Sequence, residues 1–274
     1  MPSRRRLASV LARRHIPLRT RRDLLRAELR RRIRPTAAYA VSCGPGEVFL
    51  SQDDYGVDWE SLKFVVADDA YRTDHTGAVV LDVGAHKGYY GAYAISRGAR
   101  AIVSFEPETG NVELLERAAA TYRARGIEWQ VRQVAVGAEK GQAELHVMSG
   151  SWGHALHPPE TFAQYEVGTE RVPVEAMADV LAEVGSLVPE GAPLVVKINV
   201  EGEECGIVLE TPARAWERVT ELFVETHPWV ACTAADLAEY LAPAGLSEAP
   251  SAMPAVLRLR RAGPPRSGSR SAPS

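Results

Sequence analysis

Cysteine, lysine and long apolar runs are what this 274-residue chain has least of. No stretch approaches the roughly 20 consecutive apolar residues of a membrane-spanning helix, which argues against a helical membrane protein. Three cysteines, Cys43, Cys205 and Cys232, are widely spaced and odd in number. They show neither zinc-ligand spacing nor a disulfide framework, so the expectation is three reduced thiols in a cytoplasmic protein. No apolar core follows the arginines of the front end, so it does not read as a secretory signal. Four lysines stand against 28 arginines.

The net charge of -3 hides an uneven layout. Residues 1–34 hold 13 arginines against Asp23 and Glu28, a balance of +11, which leaves -14 on the other 240 residues. The stretch RRDLLRAELRRRIR suits a helix with Leu25, Leu29 and Ile33 on one face at four-residue spacing. The first reading of 1–34 is an accessory extension, helical or disordered. Contact with an anionic membrane or nucleic acid, docking onto the acidic body, targeting, and an extension upstream of the true start all stay open. Residues 35–76 read as a flanking or lid element, with a turn at Cys43-Gly44-Pro45-Gly46 and short strands at 47–51 and 63–67. The Pro/Ser/Gly-rich residues 263–274 read as a disordered tail.

Between them, over 77–262, strand-like and helix-like patterns alternate. VVLDV (79–83), RAIVSFE (100–106), EWQVRQVAV (128–136), LVVKINV (194–200) and TELFVET (220–226) read as strands, with GQAELHVM (141–148) as a more exposed one and AVLRLRR as the last. Helices are expected near 89–97, 108–125, 176–182, 203–216 and 234–242. Such alternation predicts an α/β fold, a mostly parallel sheet with helices on both faces. Ligands then bind beyond the carboxyl ends of the strands. One cleft should gather the loop after 83, Glu106, the loop after 136 and the segments after 200 and 226.

Gly84 and Gly88 let the backbone bend and approach a ligand closely. Glu106, 18 residues beyond Gly88, ends the next strand, where a carboxylate can accept two hydrogen bonds from a ribose diol. A nicotinamide dinucleotide calls for GxGxxG, but Gly84-Ala-His-Lys-Gly88 lacks the middle glycine that clears a pyrophosphate. S-adenosylmethionine carries one carboxylate and no pyrophosphate, so a DxGxxxG loop suffices, with Asp82 at the methionine end. Lys87 reads as solvated and His86 as a cover.

VVLDVGAHKGYYGAYA, SFEPETGNVELLERAA, QVAVG, LVVKINVEGEE and ELFVETH, taken in order, resemble the FkbM family of S-adenosylmethionine-dependent methyltransferases over roughly residues 77–230. The resemblance implies a class I, Rossmann-like methyltransferase fold: a seven-stranded sheet whose last strand is antiparallel. It also implies methyl transfer to a hydroxyl of a sugar or natural-product intermediate. Carried onto this chain, Asp82, Gly84, Ala85 and Gly88 frame the methionine part, Glu106 holds the ribose, and Gln133, Ala135 and Val136 lie by the adenine. One departure stands out. Where the family usually reads Lys-Ile-Asp-Val-Glu-Gly, this chain has Asn199, which keeps the shape of aspartate but not its charge.

Transfer to a hydroxyl needs alignment and a base. Glu201 and His227 are the candidates, with Asn199 left to orient; the imidazole qualifies because its usual pKa of about 6.5 suits proton acceptance near neutrality. Trp152, His154 and His157 lie in a loop that reads as the acceptor side. Two histidines three apart could bind a metal, yet no acidic cluster completes a site there, so none is expected. The alternative is a degenerate module that binds cofactor or a partner and has lost its base at Asn199.

Overall fold

The computed structural model describes residues 13 and 15–262. The readings that fall on residues 1–12, 14 and 263–274, among them the disordered tail, lie outside the described residues.

Four short apolar runs make the centre of the sheet. β3 (Val79–Val83), β4 (Ala101–Phe105) and β9 (Leu194–Ile198) are buried at every position, and β10 (Glu221–Glu225) at all but its last. Continuous burial is what strands between two helix layers require. They pair in parallel in the order β10-β9-β3-β4, and β5 (Glu128–Arg132) extends the row beyond β4. At the other edge β12 (Val256–Arg261) lies antiparallel between β10 and β11 (Leu246–Glu248). This seven-stranded order with one reversed strand is the class I arrangement that the resemblance implies.

Alternating side chains feed two cores, because successive strand residues point to opposite faces. Val80, Ile102, Val195 and Phe223 pack toward α3 (Tyr89–Ser96) and α4 (Thr109–Arg123). Leu81, Val103, Val196 and Leu222 pack toward α5 (Met177–Leu187), α6 (Glu204–Leu209) and α7 (Ala234–Leu241).

The front of the described chain is helix α1 (Leu18–Ile33), the hairpin β1 (Ala38–Cys43) and β2 (Gly46–Ser51), and α2 (Tyr55–Leu62). Of the readings open for the arginine-rich front, docking onto the body holds for α1. The face it buries is not the leucine face: Thr20, Leu24, Ala27 and Glu28 turn inward, while Leu25, Leu29 and Ile33 face out. Thr20 Oγ1 donates to the Ser42 carbonyl at 2.7 Å, and Asp23 accepts from the Ser42 hydroxyl at 2.6 Å. The hairpin turn is fixed by Tyr122 of α4, whose hydroxyl donates to the Cys43 carbonyl at 2.6 Å.

Several expectations need correction. KFVVA (63–67) is a π-helical turn continuing α2, not a strand. The run 128–136 is broken: β5 belongs to the main sheet, whereas β6 (Ala135–Gly137) joins β7 (Gly141–Met148) and β8 (Glu166–Ala176) in a three-stranded side sheet. β8 falls in part on residues expected as loop, because EVGTERVPVEA carries a glycine, a proline and four charges. The helix expected over 203–216 stops at Leu209, and a 3-10 turn over Ala213–Arg218 follows Pro212, which cannot continue a helix. Cys205 and Cys232 form a disulfide and Cys43 alone is free, so the argument from reduced thiols to a reducing compartment falls. Among the described residues no helix is long and apolar enough to cross a membrane.

Gly88 heads α3 at φ +85°, and a Cβ there would stand 2.8 Å from Leu115 Cδ1 and 3.2 Å from Trp129. Gly88→Ala should therefore destabilise the ligand-free protein by on the order of 2–4 kcal/mol in urea unfolding, from overpacking plus left-handed strain. Unchanged stability with weakened cofactor binding would return Gly88 to the ligand site. Alkylation of the denatured, unreduced protein should label one cysteine; three labelled cysteines would refute the Cys205–Cys232 bridge.

Candidate active site

A cavity of about 290 Å³ opens at the carboxyl ends of β3, β4 and β9. Gly84, Ala85, Glu106, Ala135, Val136, Asn199 and Glu201 all line it, as do Trp152 and His154. The cleft expected from the strand order thus gathers the loop after 83, Glu106, Ala135 and Val136 and the segment after 200, whereas no described residue from the segment after 226 lines it. Phe64 and Val65 from the turn after α2 and Tyr71 complete the wall, so the front element contributes to the site.

The glycine loop is shaped from beneath. Gly84 sits at φ +72°, and a Cβ on it would lie 1.7 Å from the Asn199 carbonyl oxygen. Any side chain at 84 would therefore push β3 and β9 apart. Asp82 and Lys197 are register partners on those strands, both buried, with Asp82 Oδ1 3.1 Å from Lys197 Nζ. Burial pushes the Asp82 carboxyl up, and Lys197 opposes the shift. The same ammonium donates to the Gly84 carbonyl at 2.6 Å and the Val83 carbonyl at 3.3 Å.

A second lysine holds the far side of the loop. Lys87 is 3% exposed, not solvated as expected. Its Nζ donates to Asp58 at 2.6 Å, to Ser151 Oγ at 3.0 Å and to Asp54 at 3.2 Å. Burial pushes the Asp58 carboxyl up to about 6 against the pull of Lys87. His86 between the two anchors takes φ +51°, rare for a side-chain-bearing residue. Its ring lies 2.8 Å from Ser151 Oγ, and burial first, then the Lys87 charge, hold it well below its usual pKa.

Glu106 is almost fully buried on the cavity wall. Its carboxylate accepts from the His86 N–H at 2.7 Å and the Glu108 N–H at 3.2 Å. Asn111 Nδ2 adds a longer contact of 3.4 Å. Burial outweighs these donors and pushes Glu106 up to about 7.

Beyond the end of β9, Glu201 stands at φ +55°, a second strained position on the wall. Its buried Oε2 is 3.3 Å from His227 Nε2 and makes no well-directed hydrogen bond. Burial raises the Glu201 pKa, opposed by His227. His227 Nδ1 is 2.7 Å from Glu204, and the ring stacks on Trp229 at 4.6 Å. Burial alone would lower the imidazole's pKa, but the contacts with Glu201 and Glu204 prevail and lift it to about 10. The raised pKa weakens the reason for choosing His227 as a base.

Other expected site residues lie off the wall. Asp82 and Gly88 support the loop from below and behind. Gln133 is exposed and donates to Thr109 Oγ1 at 3.0 Å. His157 has a 79% exposed side chain and faces Glu203, while His154 is half-buried and accepts from the Met148 N–H, so the two histidines do not converge. Residues not singled out beforehand include Lys197, Asp54, Asp58, Ser151 and Glu225, the last accepting from the Tyr71 hydroxyl at 2.8 Å. Lysine's scarcity was the available signal, since two of the four lysines are the buried anchors of this loop.

A family model described as the methyltransferase FkbM domain matches residues 82–241, more than half of the chain. No curated protein matches. Among solved structures, the FkbM methyltransferase of Methylobacillus flagellatus KT is 17% identical with a TM-score of 0.44, over 69% of this chain and 44% of that one. This chain thus spans less than half of that protein's length. The magnesium protoporphyrin IX methyltransferase of Synechocystis PCC 6803, with bound S-adenosylmethionine, is 12% identical at a TM-score of 0.39, over 77% and 83%. A putative RNA methyltransferase of Pyrococcus horikoshii is 10% identical at 0.37, over 76% and 83%. The family's cofactor is S-adenosylmethionine, and the match over residues 82–241 makes this chain a member of the FkbM family of methyltransferase domains.

Proposed function

We propose that this chain transfers a methyl group from S-adenosylmethionine to a hydroxyl oxygen of a small metabolite, a sugar or a natural-product intermediate. The observation that carries the reading is the pairing, in one cavity, of a ribose-type carboxylate, Glu106, with a buried carboxylate on Glu201 whose Oε2 stands 3.3 Å from the His227 imidazole.

The cavity fits such a cofactor on its own geometry. A Cβ at Gly84 would fill the cradle, Asn199 Oδ1 is buried without a partner, and Glu106 presents a buried acceptor on the wall. Gly84, Ala85 and His86 would offer backbone to the amino-acid end, Glu106 would accept from the ribose hydroxyls, and Ala135 and Val136 would flank the base. When bound, the cofactor supplies a methyl group made electrophilic by a sulfonium charge.

The chain's part is to position the acceptor and take its proton. Glu201 Oε2 is the atom assigned that task. His227 does not act as the base; its imidazolium, anchored by Glu204, fixes the orientation of Glu201. Trp229 backs the imidazole, and the half-exposed Trp152 offers a stacking face at the rim. The wall also carries Glu203 and Glu225. With Glu60, five carboxylates on one cavity favour a neutral or cationic hydroxylated acceptor over a phosphorylated or carboxylated one.

Two further points bear on the reading. Asp54, Asp58 and His86 approach one another as ligands of a cation would, but the Lys87 ammonium stands among them and answers their charge. A metal-independent transfer is therefore preferred. The alternative of a degenerate module rests on Asn199; Glu201 still places a carboxylate in the cavity, which favours an active enzyme.

Calorimetric titration with S-adenosylmethionine and its demethylated product should show micromolar-range binding that Glu106→Ala abolishes; no binding by the wild type would defeat the reading. Glu201→Gln should bind the demethylated product within about threefold of wild type yet lower turnover of any acceptor by roughly 100-fold or more, the usual range for a lost base. Equal turnover would exclude Glu201, and tight binding with no turnover across hydroxylated acceptors would favour the degenerate module. Because Glu106 is raised in the folded state, its protonated form favours folding below about pH 4.5, and that contribution is lost as pH rises toward 7. The ligand-free protein should thus lose stability between pH 5 and 8. In Glu106→Gln that loss should shrink by on the order of 1–3 kcal/mol, and an unchanged pH profile would show that Glu106 is not raised.

A further inference from the structure

Helix α1 carries two apolar faces, and among the described residues only one packs against the rest of the fold. The inward face seats Leu24 and Ala27 on the hairpin. The outward face shows Leu18, Leu25, Leu29 and Ile33, exposed to 80%, 46%, 58% and 66%. At 100° per residue these four lie within an arc of about 80°, a stripe along the helix. Half of the eight large hydrophobic side chains exposed among the described residues lie on this one helix.

Arginines run beside the stripe. Arg19, Arg22, Arg26 and Arg30 recur at three- and four-residue spacing along one border and, with Arg117 of α4, line a groove of about 430 Å³. Asp23 and Glu47 share that groove; Asp23 stands 3.8 Å from Arg22 and 3.7 Å from Arg26. Among the described residues neither Arg19 nor Arg30 has a carboxylate within salt-bridge distance. Arg32 borders the stripe on its other side, tied to Glu28.

We infer that the outward face of α1 docks the protein onto an anionic lipid surface, the leucine stripe entering the interface and the arginine groove receiving headgroup phosphates. Each half of the feature rules out a different rival. A nucleic acid would engage the arginines but give the four aliphatic side chains nothing to bury against. A second copy of the chain could cover the stripe only by bringing its own arginines against these. An anionic bilayer satisfies both, since interfacial helices combine an apolar face with flanking cations. Charge layout sets the orientation. Helix α1 holds seven arginines against Asp23 and Glu28, a balance of +5, and residues 35–262 hold -16, so an anionic surface attracts this face and repels the rest of the described fold. The same front end that docks α1 onto the hairpin thus leaves its other side as a platform, and it does so whatever the acceptor of the methyl group is.

The test is sedimentation of the full chain with vesicles of phosphatidylcholine alone and of phosphatidylcholine with a third phosphatidylglycerol, at low and at 0.5 M salt. The wild type should pellet with the anionic vesicles at least 10-fold more than with the neutral ones, and salt should weaken this binding. The triple variant Leu25→Gln, Leu29→Gln, Ile33→Gln should lose at least 10-fold while keeping the circular dichroism and cofactor affinity of the wild type. Arg19→Gln with Arg22→Gln, Arg26→Gln and Arg30→Gln should lose the preference for anionic lipid. No pelleting with anionic vesicles at low salt overturns the inference. So does pelleting that the leucine variant retains in full, a stripe-dependent dimer without lipid, or tighter retention on duplex DNA or RNA that ignores the leucines.

Discussion

The buried pair of Asp82 and Lys197 is the interaction on which the site rests. The two residues face each other across neighbouring parallel strands, one step before both strands end. Their charges are worth little as net stability, because desolvation offsets most of the attraction. Breaking the pair is another matter, at about 3–5 kcal/mol for a charge left alone in the core. What the pair contributes is position. Lys197 spends its remaining donors on the carbonyls of Val83 and Gly84, so the chain must turn where the ammonium holds it. Gly84 follows from that turn, since the Asn199 carbonyl occupies the place of a Cβ.

Lys87 does on the outside of the loop what Lys197 does beneath it. It ties the loop to Asp54 and Asp58 of the front element and to Ser151 of the acceptor-side loop. Between these two cations the backbone at His86 is forced to positive φ, and its N–H is delivered to Glu106. Strain of this kind persists only where the surroundings over-determine it. A loop held from both sides need not be ordered by its ligand, and less binding free energy is lost to ordering.

Much of this was legible beforehand because the central strands advertise themselves. VVLDV, LVVKI and the run ending in Glu106 are continuous apolar segments that only a sheet covered on both faces can use, and the order of strands and helices then dictates the cleft. What escaped the reading was set by partners distant in sequence. Gln133 follows a strand that ends one residue before it, so the expected adenine contact turns outward instead. The motif Asp-Val-Gly-Ala-His-Lys-Gly looks like a single ligand-binding unit, yet its two glycines have separate causes. Gly84 yields to a carbonyl on β9, whereas Gly88 yields to Leu115 and Trp129 in the core. His227 was assigned from the ordinary acidity of its ring, whereas the two flanking carboxylates push its pKa up.

Asn199 takes on a different meaning in this setting. An aspartate in its place would add a further carboxylate to a wall that already carries Glu106, Glu201, Glu203 and Glu225. Like charges in one low-dielectric cavity raise each other's pKa values, and Glu201, already raised by burial, would be driven further toward its protonated form. A protonated Glu201 cannot accept the acceptor's proton. The amide keeps the volume and the oxygen of aspartate, leaves that oxygen free to accept a hydrogen bond, and removes one charge from the repulsion. On the proposal that Glu201 is the base, the substitution that first suggests a lost base is equally a way of keeping Glu201 ionised, with His227 and Glu204 holding it in place.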